Sequence, residues 1–373
     1  MNNQPPAEIG AQLKDVDTPA LLLDLDAFDR NLKRMADQVK RMGVHLRPHA
    51  KTHKSAVIGL RQIAVGAVGV CCQKVSEAEA MVNGGISDIL VSNEIVGPRK
   101  LARLAALARQ ACVAVCVDDA DNVDALSFAA RNYGASVDVL VEVNVGANRC
   151  GLTPGDAVRS MARRVAIAPG LRLRGLQAYQ GAAQHIRSYA DRRAAIDHAV
   201  AIIGNMHDLL AKDGCTCEII AGGGTGSYRF EGESGVYNEL QAGSYIFMDA
   251  DYLRNLDENG QPSVEFEPSL FVYATVMSKA SQDRAVLDAG FKALGFDSGP
   301  PIFADRDDAE YLAGSDEHGT VRLSASNRPL QIGDKVRLIP GHCDPTVNLY
   351  EWYVGYRHER VEALWPIARG PGH

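Results

Sequence analysis

The sequence predicts an α/β fold: a (β/α)8 TIM-like barrel joined to a mostly-β C-terminal domain. Three observations carry this. Between about residues 27 and 250, short β-branched runs alternate with Ala-, Leu- and charge-rich stretches of helical period. That alternation makes eight units, which fits the length of a barrel. After residue 251 the texture changes to strand-like runs separated by turn residues.

The elements follow in order. TPALLLDL (18–25) is an apolar strand ahead of the first helix, and we expect it to pack with the β domain. Residues 1–25 are therefore grouped with that domain. The barrel is expected over 26–253 and the β domain over 264–373. Barrel strands are expected at 44–48, 67–72, 88–92, 111–118, 137–143, 172–178, 217–221 and 243–247. Strict βα alternation of these runs implies a parallel sheet. Helices are expected at 26–42, 54–64, 75–84, 97–109, 120–133, 155–168, 188–212 and 234–240. A doubly wound open sheet is the alternative, but the first βα turn lacks GxGxxG. RNLDENGQP (254–262) is a polar connection. SLFVYATVMS, RAVLDAG, KVRLIPG, YEWYVGYR and RVEALWPIA then read as strands of the second domain.

Composition narrows the function classes. The chain has 373 residues, 39 Lys and Arg against 46 Asp and Glu, and a formal charge of −7. A mildly acidic chain is poorly suited to nucleic acid or anionic membranes. No apolar run approaches the roughly 20 residues that span a bilayer. The eight cysteines form neither a disulfide framework nor zinc knuckles. Cys71, Cys72, Cys112 and Cys116 read as buried thiols, and a cytoplasmic location is expected.

In a barrel, chemistry gathers at the C-terminal ends of strands. After the first strand comes RPHAKTHK, in which Arg47, His49, Lys51 and, further on, His53 share one face, with Lys54 on the other. A desolvated Lys51 among cations would have a lowered pKa and a nucleophilic amine. Taken alone, such a segment is more often a solvated basic loop. After the fifth strand, Arg149 sits in a Gly-flanked loop suited to an anionic oxygen. After the sixth come Tyr179 and His185, a planar ring and a group that moves protons near neutrality. GGGTGS (222–227) follows the seventh strand, and Gly243-Ser244-Tyr245 opens the eighth. Loops there commonly bind phosphate, and the missing Lys excludes a Walker loop. In the second domain, His342 and Asp344 point the same way if the segment is extended, with Cys343 pointing away. They form half of a site for a cation such as Mn or Mg.

Together these features describe a pyridoxal-phosphate barrel. The chain resembles the D-threonine aldolase and D-serine dehydratase group of fold-type III pyridoxal-phosphate enzymes, whose architecture is shared with alanine racemase. The stretches that carry the resemblance are RPHAKTHK, CCQKVSEAEA, QAYQGAAQH, GGGTGSY, YNELQAGSYIFMDADY, LDAGFKA and GHCDPT. The resemblance implies that Lys51 holds pyridoxal phosphate as a Schiff base. It places Arg149 near the phenolic oxygen and Tyr179 against the cofactor. It assigns Gly223, Gly224, Thr225, Gly243, Ser244 and Tyr245 to the phosphate, His342 and Asp344 to the metal, and His185 to the role of base. It also implies a homodimer.

One position separates the branches of this group. Dehydratases resemble His-x-Cys, whereas this chain has His342-x-Asp344, as in the aldolases. The implied reaction is retro-aldol cleavage of a D-3-hydroxy-α-amino acid to glycine and an aldehyde. RPHAKTHK looks more like D-threonine aldolase; YQGAAQH, PGHCDPT and EWYVGYR also look like 3-hydroxy-D-aspartate aldolase. A metal-dependent D-serine or D-3-hydroxyaspartate dehydratase is the alternative.

Overall fold

The computed structural model of the chain describes residues 4–325, 329–370 and 372. Ala20–Asp24 (β1) is apolar and buried, and it leads directly into Leu25–Met42 (α1). Asp24 caps α1, its Oδ1 accepting the N–H groups of Asp26 and Ala27 at 3.0 Å each. Gly43 ends the helix at φ 71°, a conformation that glycine adopts without steric cost.

Strands and helices then alternate strictly: His45–Leu46 (β2), Ala56–Ala64 (α2), Val70–Cys72 (β3), Val75–Asn83 (α3), Asp88–Glu94 (β4), Pro98–Leu107 (α4), Cys112–Val117 (β5), Ala120–Tyr133 (α5), Val137–Glu142 (β6), Asp156–Ile167 (α6), Leu171–Gln177 (β7), Tyr189–Lys212 (α7), Ile219–Gly222 (β8), Tyr228–Gly232 (α8) and Glu239–Leu240 (β9). Strands β2 to β9 form one parallel sheet in the order β2-β9-β8-β7-β6-β5-β4-β3. It closes on itself where the N–H of Val68 reaches the Leu46 carbonyl and that of Cys71 the Pro48 carbonyl, each at 2.9 Å. This is the expected eight-stranded barrel.

Its eighth strand differs from expectation. The strand is Glu239–Leu240, not 243–247, and no helix covers 234–240. Ser244–Ile246 is instead a single 3-10 turn. Tyr245, Ile246 and Phe247 are apolar because they pack against Leu270 and Val272 of the second sheet. Their burial imitates a strand without pairing as one. Cys112 is also corrected: it opens β5 with its side chain exposed.

The second sheet comprises β1 with Leu270–Ser278 (β10), Arg284–Leu287 (β11), Ile302–Phe303 (β12), Ala309–Gly314 (β13), Gly319–Leu323 (β14), Lys335–Ile339 (β15), Trp352–Arg357 (β16) and Arg360–Pro366 (β17). The short helix Cys343–Val347 (α9) lies between β15 and β16. β1 sits between β10, antiparallel, and β16, parallel. Leu21 and Leu23 face α1, against Phe28, Leu32 and Met35, while Ala20 and Leu22 face Tyr273 and Val354. One strand thus joins two apolar layers, as its two-sided burial demands.

A buried ion pair holds the barrel's first and last strands. Arg47 donates through Nε and Nη2 to the two Glu239 oxygens at 2.9 and 3.2 Å, and through Nη1 to Asp88 Oδ1 at 2.5 Å. Arg47→Met leaves Glu239 a buried unpaired carboxylate. It is expected to destabilise the protein by about 3–5 kcal/mol. Arg47→Met with Glu239→Leu should recover most of that loss. Thermal and denaturant unfolding midpoints of the three proteins check this.

Candidate active site

The C-terminal ends of β2, β7, β8 and β9 and the turn before α9 converge on one cavity of about 120 Å³. It is lined by Lys51, Arg149, Tyr179, His185, Gly224, Thr225, Gly243, Ser244, His342 and Asp344, all singled out in the sequence. Gly223 lies off this lining and shapes the turn, at φ 77°. Tyr245 also lies off it. Its ring is fully buried against Phe266 and its hydroxyl meets Gln62 Nε2 at 3.1 Å. Only its backbone takes part, donating N–H to Thr225 Oγ1 at 2.9 Å.

The two lysines of RPHAKTHK part company. Past β2 the chain bridges to β3 at His49 and then turns, the Ala50 carbonyl accepting the N–H groups of His53 and Lys54. Lys51 enters the cavity, its Nζ 3.6 Å from Asp344 Oδ2. Lys54 is buried and faces away, donating to Asn348 Oδ1 at 2.7 Å and the Gly370 carbonyl at 2.6 Å. The expected lowering of the Lys51 pKa is not found. Burial works in that direction, but the Asp344 carboxylate and the Tyr179 hydroxyl together outweigh it and the net shift is upward. His49, one wall of the pocket, is held neutral by burial, with Lys51 adding to the effect.

His342 and Asp344 do share a side, for a different reason than extended backbone. His342 is extended, at φ −146°, but the chain turns helical at Cys343. His342 Nε2 still stands 4.0 Å from Asp344 Oδ1, an oxygen that is buried with no hydrogen-bond partner. Cys343 is fully buried and its thiol points to the Met248 carbonyl at 3.3 Å. Asp297, which the sequence did not flag, accepts from His342 Nδ1 at 2.6 Å and so leaves Nε2 facing Asp344. Burial opposes the charged imidazole, but Asp344 and Asp297 raise the His342 pKa overall. Among the described residues, no cluster of three or more His, Cys, Asp or Glu side chains surrounds one point.

His185 ends a short 3-10 turn after β7, and its Nδ1 donates to Asp251 Oδ2 at 2.7 Å. Tyr252 stacks on its ring, with centroids 6.3 Å apart. Asp251 and Tyr252 are further residues that sequence reasoning missed. Across the cavity, the Arg149 guanidinium lies 5.5 Å from the centre of the Tyr179 ring.

The glycine loops fit a phosphate-bearing cofactor. A Cβ on Gly243 would stand 2.7 Å from Thr52 Oγ1 and 2.9 Å from the His49 carbonyl oxygen. On Gly224 it would stand 2.5 Å from Gln184 Oε1. Glycine lets both loops close on the neighbouring chain with no side chain between backbone and cavity. Thr52 Oγ1, beside Gly243, is buried without a partner.

Comparison with known proteins decides the family. Residues 23–251 match the alanine racemase N-terminal domain and residues 269–356 the putative serine dehydratase domain. The chain is 49% identical to a 3-hydroxy-D-aspartate aldolase of Paracoccus denitrificans, over 99% of this chain and 96% of that protein. It belongs to the alanine racemase-like family, in the D-threonine aldolase and D-serine dehydratase group. The crystal structure of a D-threonine aldolase from Filomicrobium marinum superposes with a TM-score of 0.94. The two are 50% identical, covering 97% of this chain and 98% of that one. A D-threo-3-hydroxyaspartate dehydratase of Delftia is more distant, at 29% identity over 77% of this chain and 75% of its own. The alanine racemase-like family uses pyridoxal phosphate, and Lys51 stands within the cavity.

The geometry distinguishes the lysines experimentally. Lys51→Ala is expected to abolish the visible absorbance of protein reconstituted with pyridoxal phosphate. Lys54→Ala should keep that absorbance and lower the unfolding temperature, because it strips a buried amine from Asn348 and Gly370. Loss of the band in Lys54→Ala alone would reverse the assignment.

Proposed function

We propose that the protein is a carbon–carbon lyase, cleaving D-3-hydroxy-α-amino acids to glycine and an aldehyde with pyridoxal phosphate and a divalent cation. One observation carries this reading: Lys51, from the turn after the first barrel strand, faces the His342–Asp344 pair across a single cavity. When bound, pyridoxal phosphate supplies an electron sink for the breaking Cα–Cβ bond, and the cation supplies a Lewis acid for the 3-hydroxyl.

The chain's own residues divide the remaining work. Lys51 would hold the cofactor through Nζ, and Gly224, Thr225, Gly243 and Ser244 would present backbone to its phosphate. Gly223 and the Tyr245 N–H support that loop. Arg149 would face the phenolic oxygen, and Tyr179 would line the ring. His342 Nε2 and Asp344 would hold the cation. The unpartnered Asp344 Oδ1 and the Asp297 bond to His342 support that assignment. An imidazole and a carboxylate suit Mn or Mg. His185 removes the proton of the 3-hydroxyl. The oxygen's electrons then form the aldehyde carbonyl, the Cα–Cβ bond breaks, and Cα takes a proton to give glycine. D-threonine yields acetaldehyde and 3-hydroxy-D-aspartate yields glyoxylate.

The carboxylate at 344 separates this reading from dehydration. The family resemblance supports a homodimer, with the first 25 residues working as part of the β domain. The free thiols of Cys71, Cys72, Cys116 and Cys343, all buried, support a reducing compartment such as the cytoplasm.

Purified protein with pyridoxal phosphate is expected to form glycine from D-threonine, from D-3-hydroxyaspartate, or from both, with Mn present and not with a chelator. Asp344→Ala should keep the cofactor absorbance and lose the metal-dependent activity. Ammonia and a keto acid as products would instead identify a dehydratase.

A further inference from the structure

Asp251 is 4% exposed, and its carboxylate is fully engaged. Oδ2 accepts from His185 Nδ1 at 2.7 Å. Oδ1 accepts from Arg254 Nη2 at 2.7 Å and from Arg187 Nη2. Both arginines are themselves fixed. Arg187 Nη1 donates to the Asp251 carbonyl at 2.7 Å and to Asn255 Oδ1 at 2.8 Å, and Arg254 Nη2 to the Ser298 carbonyl at 2.8 Å. His185 has no such enclosure: its side chain is 54% exposed, at the end of a four-residue turn. Its ring is held by Asp251 on one edge and by Tyr252 on one face. A carboxylate that accepts from Nδ1 fixes the tautomer in which Nε2 carries the lone pair, and sets the ring plane.

We propose that Asp251 is a positioning residue that turns the Nε2 of His185 toward the cavity as a proton acceptor, with Arg187 and Arg254 clamping Asp251 in place. The inference rests on the retro-aldol reading and on His185 as its base. Burial alone would favour the neutral acid, but Arg187 and then His185 reverse this and Asp251 titrates below its ordinary range. Asp251 is therefore an anion at neutral pH and accepts from His185 instead of donating to it. The same residue's N–H reaches the Gly341 carbonyl at 3.2 Å, one residue before His342. The base and the metal pair are thereby placed from one backbone position.

The test uses holoenzyme with Mn and follows glycine formation from the better substrate. The variants are Asp251→Asn, Asp251→Glu, His185→Gln and the Asp251→Asn/His185→Gln double. Asp251→Asn is expected to lower kcat by about 10- to 100-fold. KM should change less than about two-fold, well inside the tenfold that one pKa unit of interaction represents. Cofactor absorbance should be unchanged, and Asp251→Glu should recover part of kcat. In the His185→Gln background, Asp251→Asn should cost nothing further, because it acts only through the imidazole. If Asp251→Asn does not fold, Arg254→Met, at an exposed side chain, serves in its place. It should give a smaller kcat loss that likewise vanishes without His185. Equal losses in both backgrounds, or a change confined to KM, overturn the proposal. Absence of glycine from the wild-type enzyme overturns the retro-aldol reading instead, so the two failures are distinct.

Discussion

Asp249 is wholly buried, and its two oxygens accept the N–H groups of Cys343 and Tyr252 at 3.0 Å each. That carboxylate joins the chain leaving the barrel to the turn that carries His342 and Asp344. Its neighbours reinforce the seam: the N–H groups of Ala250 and Asp251 reach the carbonyls of Pro340 and Gly341. Burial pushes Asp249 up to about 6, against the pull of the two donors. A buried carboxylate of this kind is costly unless its lone pairs are filled. Here filling them sets the distance between the two halves of the site. Residues 249–252 hold the His342–Asp344 turn through one carboxylate and His185 through another.

The second sheet makes this seam possible. Lys51 and Asp344 are nearly the whole chain apart, and bringing such ends together has an entropic cost that local structure cannot meet. β1 meets it by inserting the chain's first strand between β10 and β16, so the start of the barrel is locked to its end. Lys54 adds a second tie, from the turn after β2 to Asn348 and Gly370. The candidate site is thus the gap left between two covalently and laterally joined bodies.

The barrel was legible because buried parallel strands and amphipathic helices leave different periods in the sequence. The strand-end residues were legible because a barrel places chemistry there. What escaped notice was set by contacts at long range. The eighth strand was misplaced because GSYIF owes its apolar character to the second sheet. β12 has two residues, and β13 and β14 carry charged and glycine positions that dilute alternation. Asp251 and Asp297 were invisible because each is defined by a histidine 66 and 45 residues away. The Lys51 shift was misjudged for the same reason: the neighbours in RPHAKTHK are cations, whereas the decisive anion arrives from position 344.

The turn at 342–344 shows how small a geometric choice fixes the chemistry. Three consecutive residues offer an imidazole, a thiol and a carboxylate. Extended backbone would separate them by alternation, but the helix begins between the first and second. The thiol is excluded instead by its own hydrogen bond to the Met248 carbonyl and by complete burial, which raises its pKa far above that of an available thiolate. The carboxylate is left with one oxygen on Lys51 and the other free beside His342. The cavity therefore presents a hard oxygen donor. Hard oxygen donors favour cations such as Mg or Mn over thiophilic ones. On the proposed reading, a base beside the substrate's 3-hydroxyl would direct its electrons into a carbonyl, and the bond to yield would be Cα–Cβ.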